Sequence, residues 1–126
     1  MGVVIAVSGT RQRSLARRYV HFVRMILDEA AAGWDEVCLV HGGATGIDEI
    51  AVEYAREKGW EIVAFWPEWN RRKKAAGPER NRRMAKESGA RLLLAFPWTE
   101  RCDGTLSCIR EFLSVRKADV RIYWIE

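Results

Sequence analysis

Five short, largely apolar runs recur along the chain, and the second has the unbroken, partly β-branched character of a strand that is covered on both faces. They occupy residues 3–7, 37–40, 61–66, 92–96 and 120–125. Amphipathic stretches separate these runs, and their apolar residues recur at helical spacing. The stretches predict helices at about 14–32, from near Thr45 to Gly59, from Pro78 to Gly89, and at 103–115.

The alternation of strands and helices predicts a parallel sheet with helices on both faces. We therefore expect one domain over residues 1–126, a Rossmann-like three-layer α/β/α sandwich with a five-stranded, mainly parallel sheet. In such sheets ligands bind beyond the C-terminal ends of the strands, where the strand order reverses. Polar loops fall at those ends, at 8–11, 41–46, 66–77 and 97–105.

The second of these loops contains the adjacent glycines Gly42 and Gly43 and leads directly into a helix. Thr45 and Asp48 have the spacing of a capping box, which places the helix start near Thr45. Glycines at a helix N-terminus let a phosphate approach backbone N–H groups that lack an intrahelical partner, so a phosphorylated small molecule is the simplest ligand. A tight turn from strand to helix would explain the same glycines without a ligand.

The net charge of +4 comes from segment 71–86, which holds eight basic residues and one acidic residue. Because this segment lies at the predicted ligand end of the sheet, its target is expected to be anionic. We expect the part before Gly77 to be irregular and Pro78 to open a short helix. Arg80 and Asn81 then fall in the first turn of that helix, where side chains and N–H groups can act on one anion.

The six tryptophans are expected to divide into two groups. Trp34, Trp60 and Trp124 are predicted to pack in the core or at its edge. Trp66, Trp69 and Trp98 follow strand ends, where they either pack or line a pocket in which an indole stacks on a nucleobase.

The composition restricts the class of protein and its location. No apolar run approaches the roughly 18 residues that span a bilayer, and no secretory signal is recognisable, so no membrane partner is expected. Cys38, Cys102 and Cys108 form neither an even disulfide set nor a metal-binding pair. The sequence therefore predicts a cytoplasmic protein without a metal site.

Four motifs follow the first four strands: SGTR at 8–11, HGGATGID at 41–48, KKAAGPERNRRM at 73–84, and AFP with DGT within 95–105. In this combination the chain resembles the DUF2493, or YspA-like, branch of the SLOG superfamily, whose Rossmann-like domains are related to DprA and to the LOG phosphoribohydrolases. The resemblance covers nearly the whole chain. It implies a nucleotide or nucleotide-derived ligand, such as an ADP-ribose-like signal, and no certain cofactor. Since such domains often pair through helices, it leaves a homo-oligomer open.

The resemblance also implies which residues contact the ligand, since the motifs carry over position by position. Together with two of the tryptophans at strand ends and one lysine of the basic segment, the predicted ligand-binding residues are Ser8, Gly9, Arg11, Gly42, Gly43, Ala44, Gly46, Asp48, Trp66, Trp69, Lys74, Gly77, Arg80, Asn81, Gly104 and Thr105.

The fourth loop departs from the family pattern PGGxGTxxE, because residues 98–103 intervene between Pro97 and Gly104. In the phosphoribohydrolase relatives the glutamate acts on the N-glycosidic bond, and Cys108 stands at its position here. Glu111, one helical turn later, is the candidate substitute for acid–base work. Cys108 is predicted to be a small buried hydrophobe, and His41 either serves as a base or only packs and caps.

Three functions remain open from the sequence. The first is a nucleotide-sensing or nucleotide-sequestering module. The second is a nucleotide-processing enzyme, such as a nucleoside monophosphate N-glycosidase, which needs a carboxylate in the pocket. The third is a binder of single-stranded nucleic acid like DprA. The basic segment, Trp66 and Trp69 support it, but a chain of this length is expected to offer no second contact surface. The missing glutamate favours binding over catalysis.

Overall fold

The computed structural model describes residues 1–126, apart from the side chain of Arg72. Its strands are β1 (Gly2–Gly9), β2 (Glu36–His41), β3 (Glu61–Ala64), β4 (Leu92–Phe96) and β5 (Asp119–Ile122). Its helices are α1 (Arg13–Arg17), α2 (Val20–Ala31), α3 (Ile47–Lys58), α4 (Trp69–Arg72), α5 (Ala76–Glu87) and α6 (Asp103–Val115), with a 3₁₀ turn (Lys73–Ala75) between α4 and α5.

The strands form one sheet in the order β3-β2-β1-β4-β5, and all neighbouring strands are parallel. From β1 the chain moves outward to β2 and β3, then returns to the other side of β1 for β4 and β5. The strand order therefore reverses between β1 and β4. This confirms the predicted Rossmann-like α/β fold, and it places the switch point beside the C-terminal ends of these two strands.

Alternate residues of the central strands feed two separate apolar layers, as the period of two in a strand requires. Ile5 and Val7 of β1 pack with helices α1, α2 and α3 on one face of the sheet. Ala6 of the same strand packs with Met84 of α5 and Phe112 of α6 on the other. The apolar positions predicted for α3 are all buried: Ile47, Ile50, Ala51, Tyr54 and Ala55.

The first predicted helix is wrong in one respect, because the chain forms two helices where one was expected at 14–32. The N–H groups of Arg18 and Tyr19 donate to the carbonyls three residues earlier, at 3.1 and 2.9 Å, which tightens and ends α1. Tyr19 leaves the helical region at φ −112°, and its hydroxyl donates to the carbonyl of Glu126 at 2.7 Å. The break thus places the Tyr19 side chain where it can form this hydrogen bond to Glu126.

The prediction that segment 67–77 is irregular is also wrong. Helix α4, the 3₁₀ turn and the start of α5 occupy most of it. Helix α5 begins two residues before Pro78, which still lies in the first turn, where its missing N–H leaves no intrahelical bond unmade. Arg80 and Asn81 consequently lie beyond the first turn. The predicted third strand is shorter than expected and ends at Ala64.

The last strand ends at Ile122, three residues before the predicted end at 125. Ile125 instead donates its N–H to the carbonyl of Pro97 at 3.0 Å and forms a parallel bridge with Trp98. Trp34 and Trp60 pack against the core as predicted, whereas Trp124 is 55% exposed and the prediction for it is wrong. Among the described residues, no helix has the length and apolar character that crossing a membrane requires.

Candidate functional site

A cavity of about 590 Å³ opens over the C-terminal ends of β1 and β4, where the strand order reverses. Its volume falls in the range of small-molecule sites. Of the residues predicted from the sequence, those that line it are Ser8, Gly9, Arg11, Gly42, Ala44, Asp48, Trp69, Lys74, Gly77, Arg80, Asn81, Gly104 and Thr105. Gly43, Gly46 and Trp66, which the sequence also predicts, are not among the lining residues.

The glycine loop between β2 and α3 binds its own backbone N–H groups internally. Gly42 and Ala44 both donate to Oδ2 of Asp48, at 3.1 and 3.2 Å. Gly43 donates to Nδ1 of His41 at 3.0 Å, and Gly46 donates to Glu49 at 2.9 Å. The predicted capping box of Thr45 and Asp48 is therefore wrong: the N-cap of α3 is Gly46, which has no side chain and donates its N–H to Glu49, and the Thr45 hydroxyl donates to the carbonyl of Arg11.

The same glycines are required by close packing within the protein. A Cβ atom on Gly43 would meet the ring of Trp66, and one on Gly42 would meet the guanidinium of Arg80. On Gly46 it would meet the backbone carbonyl of Thr10. Gly43 and Gly46 also have φ values of +72° and +77°, which residues with a side chain rarely adopt. These contacts favour the tight-turn interpretation of this loop over direct phosphate contact.

Asp48 is the buried carboxylate of the site, at 3% exposure. Burial raises the pKa of this group to about 6, although the two N–H donors and the charge of Arg80 oppose the rise. His41 lies 3.9 Å from Asp48, but burial and the charges of Arg80 and Arg56 lower the pKa of His41. Since its Nδ1 also accepts a hydrogen bond, His41 is neutral and caps the loop.

Arg80 and Asn81 hold the wall of the cavity together. Nε of Arg80 donates to Oδ1 of Asn81 at 2.8 Å, and Nη1 of Arg80 donates to the carbonyl of Gly42. Asn81 in turn donates to the hydroxyl of Ser107 at 3.2 Å, which ties α5 to α6. The expectation that both residues lie in the first helical turn is wrong, because α5 begins at Ala76; both are buried, engaged within the protein through these groups, and line the cavity.

The N-terminus of α6 opens into the cavity, and its first-turn N–H groups have no side-chain cap. Its N-cap residue, Cys102, makes no side-chain cap, and a Cβ on Gly104 would have no neighbour within 4 Å. Thr105 is only 4% exposed and lines the cavity, yet its hydroxyl has no hydrogen-bond partner among the residues described. First-turn N–H groups lack intrahelical partners, so this end presents several donors to a ligand.

Three exposed cations from three different loops line the same cavity: Arg11, Lys74 and Arg101. Within the described part of the chain, none of their side chains forms a hydrogen bond or an ion pair. Asp103, in the first turn of α6, is the exposed carboxylate among the lining residues. The rim of the cavity is therefore predominantly positive.

The basic segment 71–86 faces the cavity only in part. Of its basic residues with a described side chain, Lys74 and Arg80 line the cavity. Arg71 lies 3.5 Å from Glu68, and Arg83 donates to the carbonyl of Trp66 at 2.8 Å. The segment thus brings only part of its charge to the cavity, because helix α5 distributes its side chains around several faces.

The three tryptophans at strand ends have different environments. Trp69 is half exposed and lines the cavity, and Trp98 lines it while packing partly against the core. Trp66 covers Gly43 and meets the His41 ring edge-on, with 6.4 Å between ring centroids. Two indoles are thus available to a ligand, and Trp66 instead shields the glycine loop.

Several lining residues are missing from the sequence prediction: Val7, Thr10, Gln12, Pro78, Met84, Arg101, Cys102, Asp103 and Ser107. Arg101 and Cys102 directly precede a helix whose start at 103 is predicted correctly, so their position before a helix N-terminus was a usable signal. Val7 and Met84 look like ordinary core residues in the sequence, and no sequence signal marks them as lining a cavity.

The candidates for catalysis lie mostly outside the cavity. Glu111 and Cys108 are not lining residues, and Cys108 is fully buried, as predicted for a small hydrophobe. Burial raises the pKa of the Cys108 thiol to about 12, which leaves it unreactive. The cavity therefore offers Asp48 and Asp103 as its carboxylates. No group of three metal-ligating side chains occurs among the residues whose side chains are described.

Comparison with known proteins places the chain in context. The model of the YAcAr family, described as the YspA, cpYpsA-related SLOG family, matches residues 3–71, more than half of the chain. The Gene 61 protein of Mycobacterium phage D29 is 42% identical over 81 residues, 58% of this chain, and the chain spans only 61% of that relative's length. The X-ray structure of TM1055 superposes with a TM-score of 0.64 at 17% identity, covering 92% of this chain and 70% of that one. The family match supports a nucleotide-related function in general terms, and the structural likeness supports the fold.

Proposed function

This chain belongs to the YspA, cpYpsA-related SLOG family, and from that premise we propose that it binds a nucleotide or nucleotide-derived ligand in the cavity beside β1 and β4, in a sensing or sequestering role. The observation that carries the proposal is the uncapped N-terminus of α6, which opens into a cavity rimmed by unpaired cations. An ADP-ribose-like molecule is one ligand of this class.

The phosphate lies at the start of α6 in this proposal. Gly104 leaves room for close approach, and the hydroxyl of Thr105, which lines the cavity, supplies a further donor. The partial positive charge of a helix N-terminus adds to that of the cations. The glycine loop before α3 supports the site indirectly, because its N–H groups are already bound by Asp48, His41 and Glu49.

The nucleobase stacks on Trp69 or Trp98 in this arrangement. Both indoles line the cavity, and stacking on an aromatic side chain contributes about 1–3 kcal/mol per base. Because every base can stack on an indole, these two residues favour a ligand that carries a nucleobase but do not distinguish one base from another.

Binding is favoured over catalysis by the carboxylates of the cavity. The position of the phosphoribohydrolase glutamate holds the buried Cys108, and Glu111 does not line the cavity. One observation keeps the N-glycosidase alternative in view: Asp48 lines the cavity, and burial raises its pKa to about 6, a range suited to acid–base work near neutral pH.

Single-stranded nucleic acid remains the third candidate, with less support from the geometry. Such binders track the backbone with a continuous basic groove. Here Arg71 and Arg83 are engaged with neighbouring groups, and the unpaired cations gather around a cavity instead.

A ligand screen tests the proposal. Thermal unfolding is followed with mononucleotides, ADP-ribose, NAD and oligonucleotides, and calorimetry measures the affinity of whatever raises the unfolding temperature. The variant Gly104→Glu places a carboxylate at the proposed phosphate position, and Ser114→Glu places one at an exposed position of the same helix outside the cavity.

We expect a nucleotide to stabilise the wild type and Ser114→Glu, and to have no effect on Gly104→Glu. Absence of stabilisation by every nucleotide, or equal affinity for wild type and Gly104→Glu, would contradict the proposal. Stabilisation by oligonucleotides alone would favour the nucleic-acid alternative.

A further inference from the structure

The turn at residues 97–102 leads from β4 to α6, and backbone hydrogen bonds attach it to the rest of the chain. Thr99 donates its N–H to the carbonyl of Ile125 at 3.0 Å, and Ile125 donates to the carbonyl of Pro97 at 3.0 Å. Ile125 is itself 1% exposed and belongs to the core. The turn is therefore fixed by its hydrogen bonds to Ile125.

The turn is closed by an antiparallel bridge between Trp98 and Arg101, in which the N–H of Arg101 donates to the carbonyl of Trp98 at 3.2 Å. Trp98 packs partly against the core, which fixes one side of this bridge. The backbone of Arg101 is consequently held in one place, immediately before Cys102, the N-cap of α6.

Arg101 lines the cavity and is exposed, and among the described residues its guanidinium has neither a hydrogen bond nor an ion pair. Two further donors that line the same cavity are also unused: the hydroxyl of Thr105 and Nη2 of Arg80 make no hydrogen bond within the described chain. Both residues are largely buried, but neither of these two atoms is itself a buried atom without a partner, so both remain accessible to a ligand or to water.

We propose that Arg101 is the residue that recognises the ligand's phosphate, because the anchored turn at residues 97–102 holds its guanidinium at the cavity. This inference rests on the proposed nucleotide-binding function and deepens it. A guanidinium presents paired donors that match two phosphate oxygens, and its anchored backbone reduces the conformational entropy lost on binding. The ligand is therefore a phosphorylated nucleoside, and the unphosphorylated nucleoside binds without help from Arg101.

Pairs of ligands that differ only in the phosphate test this directly. Calorimetry compares adenosine with AMP, cytidine with CMP, guanosine with GMP and uridine with UMP, for the wild type, Arg101→Gln and Arg110→Gln. Arg110 is an exposed residue of α6 that does not line the cavity, so its variant removes the same net charge and controls for long-range electrostatics.

We expect Arg101→Gln to weaken binding of the preferred monophosphate by about tenfold or more, because a charge-assisted hydrogen bond is lost. The affinity for the corresponding nucleoside should change by less than about twofold. Arg110→Gln should leave both unchanged. Suppose that the wild type binds nucleotide, but that Arg101→Gln weakens the binding of nucleoside and monophosphate equally, or weakens the binding of neither. This inference is then overturned, and the proposed function stands. If the wild type binds no nucleotide at all, the proposed function falls and this inference with it.

Discussion

The buried carboxylate of Asp48 should make the stability of the protein depend on pH in an unusual direction. Its pKa is raised from 3.8 to about 6 in the folded state. Between these values the native state binds more protons than the unfolded state, so stability decreases as the pH rises. A shift of about 2 units at 1.36 kcal/mol each amounts to about 3 kcal/mol, most of which is lost between pH 4 and pH 7.

The variant Asp48→Asn isolates this effect. Oδ2 of Asp48 accepts both loop N–H groups, from Gly42 and Ala44, and the amide oxygen of asparagine can take the same place. The loop should persist while the titration disappears. We therefore expect the free energy of unfolding of the variant, relative to the wild type, to rise by about 2–3 kcal/mol from pH 4 to pH 7.

Urea denaturation at pH 4, 5, 6 and 7, fitted with a common m-value, measures the free energy of unfolding of both proteins. In the difference between the two proteins, the contributions of the other titrating groups cancel. A difference between the two proteins that is independent of pH would refute the reasoning. Asp48→Ala serves as the second variant, because it removes the charge and the acceptor together and leaves two N–H groups unpaired, at about 1–3 kcal/mol each.

Three further predictions follow from particular backbone positions and from the cavity. Gly46→Ala should cost more than about 3 kcal/mol in thermal unfolding, because a Cβ there meets the Thr10 carbonyl, whereas Gly59→Ala, at a similar φ of +71° but with open space, should cost about 1–2 kcal/mol. Arg116→Gly should raise the unfolding temperature by a few degrees, since Arg116 ends α6 at a φ of +59°; an unchanged or lower value would speak against strain there. AMP, CMP, GMP and UMP should release no free base on incubation with the protein, as followed by chromatography. Release that is lost in Asp48→Asn would instead assign an N-glycosidase.

The sequence predicts the architecture well, because buried parallel strands and amphipathic helices have distinct periodicities. The bounds of β4 and α6 agree with the prediction at both ends. Where the predicted bounds of helices and strands fail, a contact between residues distant in sequence determines where the element ends. The break at Tyr19 accompanies a hydrogen bond to Glu126, 107 residues away, and the last strand turns aside to pair with Trp98.

The candidate site is predicted less completely, since a motif does not reveal which groups are already satisfied within the protein. Gly43 fits a phosphate loop in the sequence, yet Trp66 covers it and His41 accepts its N–H. Asp48 fits a capping box three residues after Thr45, but its carboxylate binds the preceding loop instead. Periodicity and spacing describe local geometry, and these assignments depend on tertiary contacts.

Arg101 illustrates the opposite error. It lies in the part of the fourth loop that departs from the family pattern, so a motif carried over residue by residue passes over it. Its place in the cavity follows from the anchoring of its turn by Ile125, which no local pattern encodes. Residues outside a shared motif are thus where a chain-specific contact is most readily missed.

Nuclear magnetic resonance titration of ¹⁵N-labelled protein with the nucleotide of highest affinity tests the central claim most directly. The account predicts that the amide signals of Gly104 and Thr105, at the open start of α6, shift on binding. The amides of Gly42 and Gly43, already bound within the loop, should shift much less. Large shifts in the glycine loop with unmoved signals at α6, or no shifts in either place at millimolar nucleotide, would contradict it.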